Sequence, residues 1–163
     1  MKTTMTKTIL SALVLAAVAT VSYTAGAAKS KEAVNLSFKD MKWEPLAPGT
    51  PLQQVKLWGD RDKGGDYAML LKLPAGSEAG MHAHTGDYHA LNVTGNWIHT
   101  NEGGAAHELP PGSYVMQPGK LFHNDQCKGT ADCILFVHQH AKGDFIPAKA
   151  PAADKAKAPA EKK

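Results

Sequence analysis

The sequence predicts an all-β fold in a single antiparallel domain with appended ends, and three observations carry that expectation. Between residues 52 and 140 short apolar runs alternate with turn-forming clusters; 15 Gly and 10 Pro supply the turns; after residue 27 no stretch keeps the apolar spacing of a helix. A length of 163 residues suits one domain at about 100–200 residues per domain.

The elements follow in order. Lys2 and Lys7 precede an apolar run from Ile9 to Val21, interrupted only by Ser11 and Thr20, and then the small residues Ala25-Gly26-Ala27-Ala28. This three-part pattern reads as a secretory signal peptide over residues 1–27. Its apolar core is shorter than the roughly 20 residues needed to span a membrane, so no stable membrane insertion is expected after processing. The mature chain is expected in a periplasm or outside the cell. Residues 28–147 form the predicted domain, with strand-like runs at Gln54 to Trp58, Tyr67 to Leu73, His89 to Thr94, Asn96 to Thr100, Ala105 to Leu109 and Ser113 to Gln117. Residues 148–163 are almost wholly Ala, Lys, Pro, Asp and Glu, a composition expected to be disordered because it has nothing to bury.

Charge excludes one class of partner. The chain carries 18 basic and 15 acidic residues, but seven of the lysines lie in the leader and tail. Residues 28–147 hold 11 basic against 13 acidic groups, and such a surface gives no basis for binding nucleic acid.

Cys127 and Cys133 are the only cysteines. In an oxidising compartment they are expected to form a disulfide, since five intervening residues match no redox motif and no further thiolate completes a metal site. An antiparallel hairpin centred on this pair sets His123 against Val137 and Leu121 against Gln139. His123, Leu135, Val137 and Gln139 then share an inner face, and His138 and His140 point outward.

The histidines carry the chemistry. His82 and His84 are two apart, which in a strand puts both imidazoles on one face, and His89 follows after the turn Thr85-Gly86-Asp87. The segment Gly76 to Gly95 resembles the first motif of the cupin superfamily: Gly, five residues, His-x-His, three or four residues, Glu, six residues, Gly. Gly112 to Asn124, with Pro118, Gly119 and His123, resembles the second. The resemblance implies a small antiparallel jelly-roll (cupin) barrel around a metal ion, and pairing of barrels into homodimers. Its ligands carry over as His82, His84 and His123, with His89 at the glutamate position. Four imidazoles suit Fe, Cu, Zn, Ni or Co and disfavour Mg and Ca.

Gln139 is a pocket candidate, and Asp87 is a candidate for supporting the ligands or for acid–base work. His99 and His107 match no motif position and are expected at the surface. The resemblance implies an exported cupin holding a divalent transition metal and acting on a small-molecule substrate, as a dioxygenase. The alternative is a non-catalytic binding or sensing cupin with a structural metal. No nucleophilic triad, phosphate loop or carboxylate pair supports a hydrolase.

The leader makes a direct prediction. The exported protein should have the mass of a chain beginning near Ala28, and a mass that retains residues 1–27 would reject cleavage.

Overall fold

A computed structural model of the chain describes residues 32–149, so the leader and residues 150–163 of the tail lie outside the described residues. After a turn of 3-10 helix at Phe38–Asp40 come eleven strands: β1 Glu44–Pro45, β2 Gln53–Trp58, β3 Tyr67–Leu73, β4 His82–Ala83, β5 Tyr88–Thr94, β6 Asn96–Asn101, β7 Ala106–Leu109, β8 Tyr114–Gln117, β9 His123–Lys128, β10 Cys133–Gln139 and β11 Ile146–Pro147. They build two antiparallel sheets. One has the order β1-β2-β3-β10-β5-β8 and the other β11-β4-β9-β6-β7.

Alternation along each strand decides what fills the space between the sheets. On β10, Cys133, Leu135, Val137 and Gln139 are buried inward. On β3 the inward set is Tyr67, Met69, Leu71 and Leu73, and on β5 it includes Tyr88 and Ala90. Trp97 on β6 and Cys127 on β9 close the same core from the other sheet, both almost fully buried. The outer faces of β2, β3 and β10 are covered in turn, because Val55, Leu70 and Ile134 pack against Met41, Trp43, Leu57 and Phe136. That second layer explains why the centre of β10, Ile134-Leu135-Phe136-Val137, is apolar at every position rather than alternating.

The Cys127–Cys133 disulfide is present, with Cα atoms 5.6 Å apart. The expected hairpin around it is not. β9 pairs with β4 and β6, whereas β10 pairs with β3 and β5, so the two cysteines sit in different sheets. The segment between them crosses from one sheet to the other, and the disulfide ties the sheets together at that crossing. The facing deduced from the hairpin survives its loss. Both cysteines are buried in the core, and His123 and Gln139, an even number of residues from them, are buried on the same side.

A second crossing lies at Gly95, the single residue between β5 and β6. It has φ +79°, and a Cβ there would lie 2.6 Å from the Asp132 carbonyl oxygen and 2.9 Å from Cys133 Sγ. Only glycine permits this conformation and this approach together. Among the described residues no helix is long and apolar enough to cross a membrane.

Because the disulfide closes a short loop between two sheets, Cys127→Ser/Cys133→Ser should lower the unfolding free energy by about 2 kcal/mol. The urea midpoint, measured with and without reductant, checks this. An unchanged midpoint on reduction of the native chain would contradict it.

Candidate metal centre

Strand pairing brings the first and second histidine groups together. His82 on β4 is the direct antiparallel partner of His123 on β9, and His84 follows two residues later. One nitrogen from each of His82, His84 and His123 lies within 4.8 Å of the others. Each ring is anchored through its other nitrogen: His82 Nδ1–H donates to the Gly80 carbonyl at 2.7 Å, His84 Nδ1–H to the Asp144 carbonyl at 2.5 Å, and His123 Nδ1–H to the Leu121 carbonyl at 3.2 Å. Those bonds fix the tautomer, so each ring keeps an unprotonated Nε2.

Burial disfavours the charged form of two of these rings. Burial drives the His123 pKa down to about 4, only partly opposed by Asp125. Burial also lowers that of His84, against the Asp144 carbonyl, which raises it. Three imidazoles that each bond a carbonyl through Nδ1 and bring one nitrogen together are a donor set for a divalent transition ion, so the residues present fit such a group.

His89 does not join them. It lies on the outer face of β5, where Nδ1 is 2.6 Å from the Tyr114 hydroxyl and its direct partner across the sheet is His138. Alternation is the physical reason: Tyr88 takes the inward position, so its neighbour faces out. The buried Tyr88 hydroxyl is 3.1 Å from His123 Nε2, and burial pushes its pKa well above the ordinary tyrosine value. It therefore stays protonated and donates to that nitrogen. The motif spacing already held this answer. Three residues after His84 lead to position 88, and six more, 89–94, end at Gly95; counting from His89 leaves only five.

Asp125, two residues after His123, is a neighbour that the sequence reading missed. Its Oδ2 is 3.6 Å from His123 Nε2, while Oδ1 accepts from Trp97 Nε1 at 2.7 Å and from His99 Nδ1 at 2.8 Å. His99 is buried rather than at the surface. Its Nε2 faces Gln117 Oε1 at 3.1 Å, and that amide is oriented by Gln117 Nε2 donating to the Leu121 carbonyl at 3.0 Å. Both ring nitrogens thus meet acceptors, which only an imidazolium can satisfy. Burial alone would lower the His99 pKa, but Asp125 outweighs it and the value is raised. Burial likewise works against the Asp125 carboxylate, and bonding to His99 more than offsets it, leaving that pKa lowered.

The cluster opens on a cavity of about 480 Å³ between the sheets. Its wall is mostly apolar, with Met69, Leu71, Leu135 and Val137 beside Tyr67 and Gln139. Gln139 lines the cavity as expected; its Oε1 accepts from the Tyr67 hydroxyl at 2.5 Å and its Nε2 donates to the Gly86 carbonyl at 3.0 Å. Phe145 stacks on His82 at 4.4 Å, and the Asp144 carboxylate holds Thr85, so the segment before β11 covers the ligands. Asp87 is exposed and turned away from the cavity. Its carboxylate accepts the Gly119 N–H at 2.6 Å and pins one turn of the fold to another.

The ChrR cupin-like domain description matches residues 31–142. The chain belongs to the ChrR cupin-like family. Among solved structures, an RmlC-like cupin from Ralstonia eutropha is 27% identical, with a TM-score of 0.54 over 68% of this chain and 69% of that one. An RmlC-like cupin from Shewanella frigidimarina is 20% identical, at 0.52 over 68% and 93%. The Rhodobacter sphaeroides complex of SigE with the anti-sigma ChrR is 23% identical, at 0.50 over 63% of this chain and 51% of that chain. No curated protein matches the chain.

The neutral histidines of this cupin impose a pH dependence on the metal-free fold. His123 binds its proton near pH 4 when folded and near 6.5 when unfolded, so between those values the unfolded chain holds more protons. Stability should rise with pH across that window and fall by up to roughly 3 kcal/mol on acidification through it, with His84 acting in the same direction. His99 has the opposite sign: its stabilisation is complete below about 6.5 and fades above that. Urea midpoints of metal-free protein between pH 4 and 6.5 test this, and His123→Gln should flatten the slope.

Proposed function

We propose that this cupin is exported and holds a divalent transition metal on His82, His84 and His123, and that it acts there as a small-molecule dioxygenase. The observation that carries the reading is that one nitrogen each of His82, His84 and His123 comes together beside a mostly apolar cavity, which His82 and His84 line. Three protein ligands leave coordination positions for a substrate, where four would close the site. When bound, a redox-active ion would supply activation of dioxygen or of an enolisable substrate.

The chain's own groups have distinct tasks. His82, His84 and His123 hold the ion, each braced by a backbone carbonyl. Asp125 places a negative charge beside it, which the missing motif glutamate would otherwise have provided. Tyr88 is a protonated donor at the ligand cluster; once His123 Nε2 is engaged, that hydroxyl is free to donate to a molecule in the cavity. Tyr67 and Gln139 offer a polar handle in the cavity wall, Gln139 pairing across the strands with Tyr88, and most of the remaining lining is apolar.

The family match favours a second reading, in which the same site senses rather than catalyses. ChrR is an anti-sigma protein in the Rhodobacter sphaeroides complex. A sensing cupin would use metal or ligand binding to change its surface for a partner.

Elemental analysis of protein purified from its own compartment, with oxygen uptake on enol or diketone substrates, separates the two. Iron or copper with substrate-dependent uptake supports the oxygenase; stoichiometric zinc without uptake supports sensing. His82→Ala, His84→Ala and His123→Ala should each lose metal in equilibrium dialysis, whereas His89→Ala should retain it. Tyr88→Phe should keep the metal and slow turnover by about 10²-fold, the scale of a lost proton donor.

A further inference from the structure

A second set of ligating atoms lies on the outer face of β10, on the far side of the sheet from the cavity. His138 Nε2 and His140 Nδ1 approach the same oxygen, Asp66 Oδ1, at 2.5 and 2.9 Å. The two rings meet edge to face with centroids 4.6 Å apart. One donor atom from each of the three residues lies within 4.8 Å of the others.

The backbone fixes this grouping. His138 is the penultimate residue of β10, which is held on both sides by β3 and β5, and His140 lies one residue beyond the strand end with its ring turned to the same carboxylate as His138. Asp66 immediately precedes β3, whose Tyr67 pairs with Gln139, the residue between the two histidines. Gly59 lets the end of β2 close onto this point: a Cβ there would fall 2.2 Å from the Asp66 carbonyl oxygen. A register shift between Lys56 and Trp58 sets Trp58 opposite Ala68, where its ring stands 6.0 Å from that of His138. His89, on the strand beside His138, completes a row of three imidazoles but keeps Nδ1 on Tyr114, with its ring 6.4 Å from His138.

Two ring N–H protons can satisfy that carboxylate oxygen, and so can one cation. Among the described residues neither His138 Nδ1 nor His140 Nε2 has a hydrogen-bond partner, so each ring can carry its proton there and turn a lone pair inward. A tetrahedral ion at about 2.1 Å sets its ligands roughly 3.4 Å apart, so the cluster needs to spread by only about 1 Å through side-chain rotation.

We propose that Asp66, His138 and His140 form a second, surface site for a divalent ion that prefers imidazole, zinc or copper(II), independent of the interior cluster. Two nitrogens and one carboxylate oxygen leave at least one position open to water or to a donor from a partner.

Zinc titration of metal-free full-length chain tests this. His138→Ala/His140→Ala should lose one zinc per chain relative to native, and Asp66→Asn should weaken the same site at least tenfold. All three residues are at the surface, so these variants should keep the native fold, checked by circular dichroism. A second readout uses His82→Ala/His84→Ala, in which the interior set is gone. Micromolar zinc should still shift the ring resonances of His138 and His140 and leave those of the exposed His107 in place. An unchanged zinc count and affinity in the double variant, indifference to Asp66→Asn, or an equal shift at His107 would each overturn the proposal.

Discussion

Asp125 is the group on which both the core and the interior histidine cluster depend. A carboxylate this deeply buried stays ionised only where its charge is met and its oxygens are bonded. One oxygen takes two donors, the indole of Trp97 and the ring of His99, and the other looks toward His123. The counter-charge on His99 depends in turn on Gln117, whose amide is oriented by the Leu121 carbonyl. That same carbonyl accepts the Nδ1–H of His123. A single peptide oxygen just before β9 therefore sets the tautomer of a candidate ligand and, through one amide, the charge of the ring behind it. Replacing Asp125 with an apolar residue would leave Trp97 and His99 as unpaired buried donors, at a cost comparable to breaking a buried ion pair.

Side-chain parity across two sheets explains why the site assembles at all. The chain changes sheet between β5 and β6 at Gly95 and again between β9 and β10, and at both places the backbone runs against Cys133 or its bridge to Cys127. With those crossings fixed, alternation alone delivers His123, Asp125 and Cys127 to one side of β9 and Gln139, Val137 and Leu135 to one side of β10. A one-residue slip in either strand would export the whole set to the surface.

Much of this was legible in the sequence. His82-x-His84 and the second-motif His123 declared themselves through spacing, and the inward placement of Gln139 followed from parity even though the hairpin used to reach it does not form. A disulfide states that two residues are close and says nothing about whether their strands are hydrogen-bonded neighbours, so a crossing between sheets was indistinguishable from a turn within one. His89 drew attention because it is a histidine, while the spacing to Gly95 selected Tyr88, whose side chain is not an obvious replacement for glutamate. His99 gave no local sign of burial; its position is explained only by Asp125, its partner across β6 and β9, and pairing between distant strands is what a single sequence conceals.

β10 shows how one strand can serve two chemistries without mixing them. Its inward residues are apolar up to Gln139, and they line the same cavity as His82 and His84. Its outward end carries His138, and His140 follows just beyond it; solvent reaches both, and they sit beside an ionised Asp66 whose pKa is lowered first by its bond to His138. The same imidazole group is thus placed in two environments, between the sheets and on the outside of one of them. In the interior, desolvation disfavours the charged form of His84 and His123; at the surface, a carboxylate meets the ring nitrogens of His138 and His140. The interior rings are held by three backbone carbonyls and the outer pair by a single carboxylate, so the two clusters respond to different changes in the chain.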